Sequence, residues 1–232
     1  MSYIFPPQGL SIIPIHSSQA VFPVHRIYCV GKNYAAHARE MGSDPTREPP
    51  FFFQKPTDAI QYVQAGTVAD HPYPSLTKNY HYEAELVAML DKGGRNIPVA
   101  KALDLVYGYS LGLDMTRRDL QNDMKKQSRP WCIAKGFDHS APIGPITRAK
   151  DVQAIEQASI SLQVNGQDRQ RSNVSQLIWN IAETIEHLSA AWELQPGDLI
   201  FTGTPEGVAA VVSGDTLVGA VAGLGEIKVH VS

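Results

Sequence analysis

Two glutamates, Glu83 and Glu85, stand two residues apart in the run 80–90. On a helix, residues at that spacing point in different directions. On a strand they share a face, about 7 Å apart along the rise. Tyr82, Ala84, Leu86, Ala88 and Leu90 form an unbroken apolar set on the other face, which favours the strand and puts His81 with the acids. Carboxylates so placed can stay in water or share a cation. If they are partly buried, mutual repulsion protonates one unless a positive charge intervenes. A hard cation such as Mg²⁺ takes oxygen ligands and keeps water positions open. Asp114 closes the apolar run 109–113 and opens a polar one, 114–121, which makes it a candidate third ligand. A helix cap followed by a solvated face is the other reading of that acid. In the same run Arg118 can grip a carboxylate bidentately, and Gln121 can donate to a carbonyl.

Lys135 lies between apolar residues 131–134 and Gly136-Phe137. A lysine buried there needs an anionic partner; one on the surface would snorkel instead. His37 and Glu40 are three apart in a predicted short helix, so they can touch. A carboxylate behind an imidazole orients it and raises its basicity, as in a general base, although such pairs are also common on surfaces. Thr202, Gly203, Thr204 and Pro205 form a turn whose hydroxyls and amides could meet a small anion. His16, His25, His71, His187 and His230 carry no partner pattern and read as structural.

The elements that must hold these groups are short. The chain has 16 prolines and 18 glycines with brief periodic segments between them, a pattern of many strands joined by turns. Residues 26–30 read as a buried strand closed by Gly31. Residues 33–41 read as one or two helical turns before Gly42 and Asp44-Pro45, and 49–55 as an extended stretch. Residues 107–113 predict a strand and 115–126 a short helix. Ile160, Leu162 and Val164 alternate into Asn165-Gly166, a type I′ hairpin signal. Leu177, Ile181, Ile185, Leu188 and Trp192 recur at steps of three or four. They predict a helix over 175–192, capped by Asn173 with Gln176 three residues on. Residues 196–198 turn into a strand at 199–201, and 214–231 hold two more strands. The sum is an α+β, β-rich chain with one longer helix and several short ones.

The 232 residues read as one domain over 1–232, with 1–25 as an N-terminal extension packed on it. A content of 43% hydrophobic and 19% charged residues suits a sizeable core. The net charge is -3, and the one tight basic cluster, Lys125, Lys126 and Arg129, reads as a solvated loop. Neither gives footing to nucleic acid or an anionic membrane as partner. No stretch reaches the roughly 18 apolar residues of a membrane span, and the start does not read as a secretory signal. Cys29 and Cys132, each in an apolar setting, read as reduced and packed in a cytoplasmic protein. Neither has the spacing of a zinc site.

Six stretches together resemble the fumarylacetoacetate hydrolase family: CVGKNYAAHAREMG (29–42), PPFFFQKPTDAI (49–60), HYEAELV (81–87), YGYSLGLDMTRRDLQ (107–121), WCIAKGFDHSAPIGP (131–145) and QPGDLIFTGTPEGV (195–208). They keep family order and cover most of the chain from about Arg26. The run MGSDPTREPPFFFQKP (41–56) is most similar to members that hydrolyse fumarylpyruvate in gentisate-type aromatic catabolism. The resemblance implies the family's mixed β-sandwich roll with peripheral helices, usually dimeric. It implies Glu83, Glu85 and Asp114 as ligands of Mg²⁺ or Mn²⁺, and His37 and Glu40 as a catalytic pair on a mobile lid segment. By the same resemblance Lys135 is catalytic and faces the substrate, while Arg118, Gln121 and Thr204 bind it. His139 stands where many relatives have threonine. The implied reaction is metal-dependent hydrolysis of a C–C bond in an acylpyruvate, fumarylpyruvate above all, giving fumarate and pyruvate. Oxaloacetate decarboxylation or an isomerase activity at the same site is a rival. A non-catalytic metal or anion binder is another, against which His37, Glu40 and Lys135 together argue. A glycosidase is disfavoured because Glu83 and Glu85 on one strand face cannot flank a sugar.

Overall fold

A computed structural model describes residues 3–40 and 48–232. Its central strand is Ala84–Leu90, every residue of which is buried. Tyr82, Ala84, Leu86, Ala88 and Leu90 enter one apolar cluster, as their alternation predicts. The opposite face is not solvated: Val87 and Met89 join a second cluster with Leu199 and Phe201. A strand buried on both faces belongs inside a sheet. This one lies between Leu199–Phe201 and Val106–Leu113, antiparallel to both. The eight-stranded sheet runs Phe51–Lys55, Ile27–Gly31, Leu199–Phe201, Ala84–Leu90, Val106–Leu113, Ala141–Ile143, Ile60–Tyr62, with Thr147–Arg148 also paired to Val106–Leu113. The predicted strand over 80–90 breaks at Tyr82 and Glu83. Its first part, Tyr80–His81, pairs with Thr116–Arg117 and Ala210–Val211 in a small separate sheet.

A five-stranded sheet shares the first cluster. Its order is Gln167–Asn173, Ser159–Val164, Thr216–Val221, Gly225–Val231, Val68–His71. Asn165 and Gly166 turn the hairpin with φ of 51° and 77°, the two positive values a type I′ turn requires. At the N-terminal side, Ile12–Pro14 pairs with Val21–Pro23, and Ile13, Ile15, Phe22 and Val24 complete the second cluster. The chain is therefore strand-rich with few short helices. Among the described residues, no helix is long and apolar enough to cross a membrane.

Two predicted helices are shorter than their patterns. The helix expected over 115–126 is Arg118–Lys126, because Thr116–Arg117 is taken by strand pairing. The helix expected over 175–192 is Ile181–Ala191. The apolar stripe is real: Ile181, Ile185 and Leu188 are buried, and Leu177 and Trp192 pack against the same core. The cap differs. Asn173 accepts from the Ser175 amide at the head of a 3-10 turn. Asn180 and Glu183 form the capping box of the helix. A distant residue decides between them. The Ile178 amide donates to the Asn33 carbonyl at 2.8 Å, and the Trp179 amide donates to Asn33 Oδ1 at 2.8 Å. That clamp holds the backbone out of helix until Asn180. Cys132 is a further correction: it is exposed, whereas Cys29 is buried, and both thiols are free.

Asn33 also anchors the helix Ala35–Glu40, whose Gly42 and Asp44-Pro45 boundary lies outside the described residues. Its Nδ2 donates to the carbonyls of Trp179 and Thr202 at 2.9 and 2.8 Å. Asn33→Ala removes three hydrogen bonds, one buried and two part-buried, and strands their partners. The expected cost is about 3 kcal/mol, lowering Tm by roughly 6–12 °C in a thermal melt. A shift under a degree or two would show that the clamp is dispensable.

Candidate active site

Strand register assembles the acids. Ala84 pairs with Leu113 and Glu85 with Gly112. One step further the Asp114 amide donates to the Glu83 carbonyl at 2.8 Å. Cross-strand partners share a face, so Glu83 and Asp114 stand opposite each other, with Glu85 next along. A Cβ on Gly112 would lie 2.6 Å from the Phe201 ring, so only glycine fits opposite Glu85. All three acids are buried, and one carboxylate oxygen from each lies within 4.8 Å of the others.

Three cations hold two of these acids. Lys135, buried on the short helix Cys132–Lys135, donates from Nζ to Glu83 Oε2 at 2.8 Å and to Asp114 Oδ2 at 2.7 Å. Arg118 donates from Nη2 to Glu83 Oε1. Its Nη1 donates to Gln121 Oε1 at 2.6 Å. Lys55, which sequence reasoning missed, places Nζ 2.8 Å from Asp114 Oδ1 and donates to the Lys135 carbonyl. Among the described residues Oδ1 is buried and accepts no hydrogen bond, with the Lys55 ammonium as its ion-pair partner. Burial alone would raise the Glu83 carboxyl, but the Lys135 and Arg118 charges hold it well below the carboxylate range. Among the described residues Glu85 has only the Gly203 amide, at 2.8 Å. Burial, with Asp114 and Glu83 beside it, pushes its carboxyl well above the usual range. The anion met by the Thr-Gly-Thr turn is thus Glu85 itself.

The remaining candidates divide. His37 is buried on the cleft wall, its Nδ1 3.2 Å from Glu40 Oε2. The Gly207 amide donates to both Glu40 oxygens at 3.3 Å. Glu40 therefore fixes the ring with Nδ1 as donor and leaves Nε2 as the basic nitrogen. Thr204 lines the cleft, but its hydroxyl donates to the Ala84 carbonyl and accepts from Gln170 Nε2, both at 2.8 Å. His81 does not join the acids. Its Nε2 lies 2.7 Å from Asn79 Oδ1, and burial with Arg118 nearby lowers its pKa to about 4. His139 is not among the cleft-lining residues. Phe51, Phe53, Trp131 and Lys125 are, and none was singled out as a site residue from the sequence. Lys125 corrects the solvated-loop reading: it is half-buried on a helix. Burial, with Arg118 beside it, brings its ammonium down to about 8.

Three buried carboxylates around one point, with no His or Cys in the group, fit a hard divalent cation.

Comparison with known proteins gives the family. The family profile described as fumarylacetoacetate (FAA) hydrolase C-terminal matches residues 26–232. Fumarylpyruvate hydrolase from Ralstonia sp is 47% identical over 189 residues, 81% of this chain and 95% of that one. The crystal structure of fumarylpyruvate hydrolase from Pseudomonas aeruginosa in complex with Mn²⁺ and pyruvate superposes with a TM-score of 0.97 at 58% identity, covering 99% of each chain. Mitochondrial oxaloacetate decarboxylase from Dictyostelium discoideum is 38% identical over 199 residues, 86% of this chain and 89% of that one. The chain belongs to the fumarylacetoacetate hydrolase family.

Lys55→Met leaves the buried Asp114 one cation short. Breaking a buried pair in this way typically costs about 3–5 kcal/mol. Urea unfolding should show that loss, and saturating Mn²⁺ should recover part of it by binding the folded state. Equal stability of the two proteins without metal would remove Lys55 from the charge balance.

Proposed function

We propose that this chain hydrolyses the C–C bond of an acylpyruvate, fumarylpyruvate above all, to pyruvate and the acyl carboxylate, with Mg²⁺ or Mn²⁺ at Glu83, Glu85 and Asp114. The observation that carries it is the His37–Glu40 pair on the wall of a cleft whose floor is three buried carboxylates and Lys135. A divalent cation there supplies Lewis acidity toward the 2-oxo acid end of the substrate. Arg118 and Gln121 orient that end from one helix. His37 takes a proton from water at Nε2, and Glu40 steadies the resulting imidazolium through Nδ1. The hydroxide adds to the distal carbonyl, and the C–C bond breaks with its electron pair leaving as the pyruvate enolate. The imidazolium then returns its proton to the enolate carbon, giving pyruvate, while Lys135 stabilises the enolate charge from its desolvated pocket.

The likeness to an oxaloacetate decarboxylase supports a second activity. Loss of CO₂ from oxaloacetate yields the same enolate and needs no activated water. A homodimer is part of the proposal, supported by the exposed Ile4, Phe5 and Leu10 of the N-terminal arm. So is a cytoplasmic setting, which two free thiols suit.

The test is turnover of fumarylpyruvate and of oxaloacetate by wild type and His37→Ala at saturating Mn²⁺, followed by loss of enol absorbance and release of pyruvate. Wild type should hydrolyse fumarylpyruvate. His37→Ala should lose about 10²–10⁴-fold of that activity and keep most of any decarboxylation. Equal losses would assign the pair to closure of the site rather than to water activation, and no wild-type hydrolysis would end the proposal.

A further inference from the structure

Arg118, Gln121 and Lys125 follow one another at steps of three and four on the helix Arg118–Lys126. That spacing puts them on one face, and all three line the cleft. The first two spend that face on the floor: Arg118 donates to Glu83 and to Gln121. Lys125 stands seven residues from Arg118, about 10 Å further along the axis, and is half-buried where Arg118 is buried. Among the described residues no carboxylate pairs with it. Its ammonium rests over the Trp131 ring, 5.1 Å from the centroid. The Trp131 ring lies 5.8 Å from that of Phe53, and Lys135 Nζ lies 5.2 Å from the Phe53 centroid. The cleft therefore has an aromatic wall with an ammonium at each end. The inner ammonium is neutralised by Glu83 and Asp114; the outer one is not. Phe51 braces the wall edge-on, 5.2 Å from Trp131. It packs against Gly31, where a Cβ would lie 2.0 Å from its ring.

We propose, resting on the hydrolase function above, that Lys125 binds a second carboxylate at the far end of the acyl group. It thereby selects acylpyruvates that are dicarboxylic and flat enough to lie along Phe53 and Trp131. The chemistry matches at both ends. The 2-oxo acid end belongs to the floor, and a conjugated acyl chain presents a π-face to the rings. Half-burial strips hydration from the Lys125 ammonium, and a carboxylate arriving beside it restores what burial removed. A monocarboxylic acyl group leaves that ammonium with the indole alone.

The experiment measures kcat and KM for fumarylpyruvate and for acetylpyruvate, a diacid and a monoacid, with wild type, Lys125→Met and Lys125→Arg. Equal Mn²⁺ affinity in all three proteins serves as the check on folding. Lys125→Met should raise KM for fumarylpyruvate and lower its kcat/KM relative to that of acetylpyruvate by about 10- to 100-fold, the size of one lost charge-assisted hydrogen bond. The arginine variant should recover most of the ratio. A ratio that stays constant, whether both activities fall or neither does, overturns the assignment of Lys125 alone. Wild type that hydrolyses neither compound overturns the hydrolase function, and this inference with it.

Discussion

Three carboxylates buried on one sheet face repel one another, and the rest of the site is arranged around that repulsion. Two unit charges about 4 Å apart interact by roughly 4 kcal/mol at an effective dielectric near 20, so Glu83, Glu85 and Asp114 cannot all ionise there unaided. Lys135, Arg118 and Lys55 answer for Glu83 and Asp114. Glu85 is left with one backbone amide. This asymmetry suits the floor to a further cation, since the least compensated acid would gain most from one.

The fold supplies the rigidity that such a charge cluster demands. Glu85 lies within the central strand, Glu83 directly precedes it and Asp114 directly follows its neighbour; a strand buried on both faces cannot shift register without moving apolar residues out of both clusters. Lys135 comes from a helix of four residues closed against the floor. The proposed base lies on a different element, the helix Ala35–Glu40, tied to the sheet through Asn33. In the proposed reaction, charge stabilisation and proton transfer fall to separate parts of the chain. The wall of the cleft, by contrast, is aromatic, built from Phe51, Phe53 and Trp131.

Much of this was legible in the sequence because it was local. The alternation from Tyr82 to Leu90 gave one buried face, the Glu83–Glu85 spacing gave a shared face, and the end of an apolar run flagged Asp114. Lys135 stood out as a charge inside an apolar run. What escaped was non-local. Lys55 ends an aromatic run before Pro56 and looks like an ordinary strand boundary; only the pairing of Phe51–Lys55 beside Ile27–Gly31 carries it under Asp114. The start of the long helix was misplaced because two caps compete within ten residues, and Asn33, far away in sequence, selects the second. Lys125 did leave a signal, the three-and-four spacing with Arg118 and Gln121, hidden by its neighbours Lys126 and Arg129, which suggested a solvated cluster.

The claim on which all of this turns is that the three acids form one cation site. Calorimetric titration of Mn²⁺ into metal-stripped wild type, Glu85→Gln and Asp114→Asn tests it most directly, with circular dichroism to confirm the fold of each. One Mn²⁺ per chain in wild type and no measurable binding in either variant is the predicted result. Wild-type affinity retained in a folded Glu85→Gln or Asp114→Asn chain would contradict it.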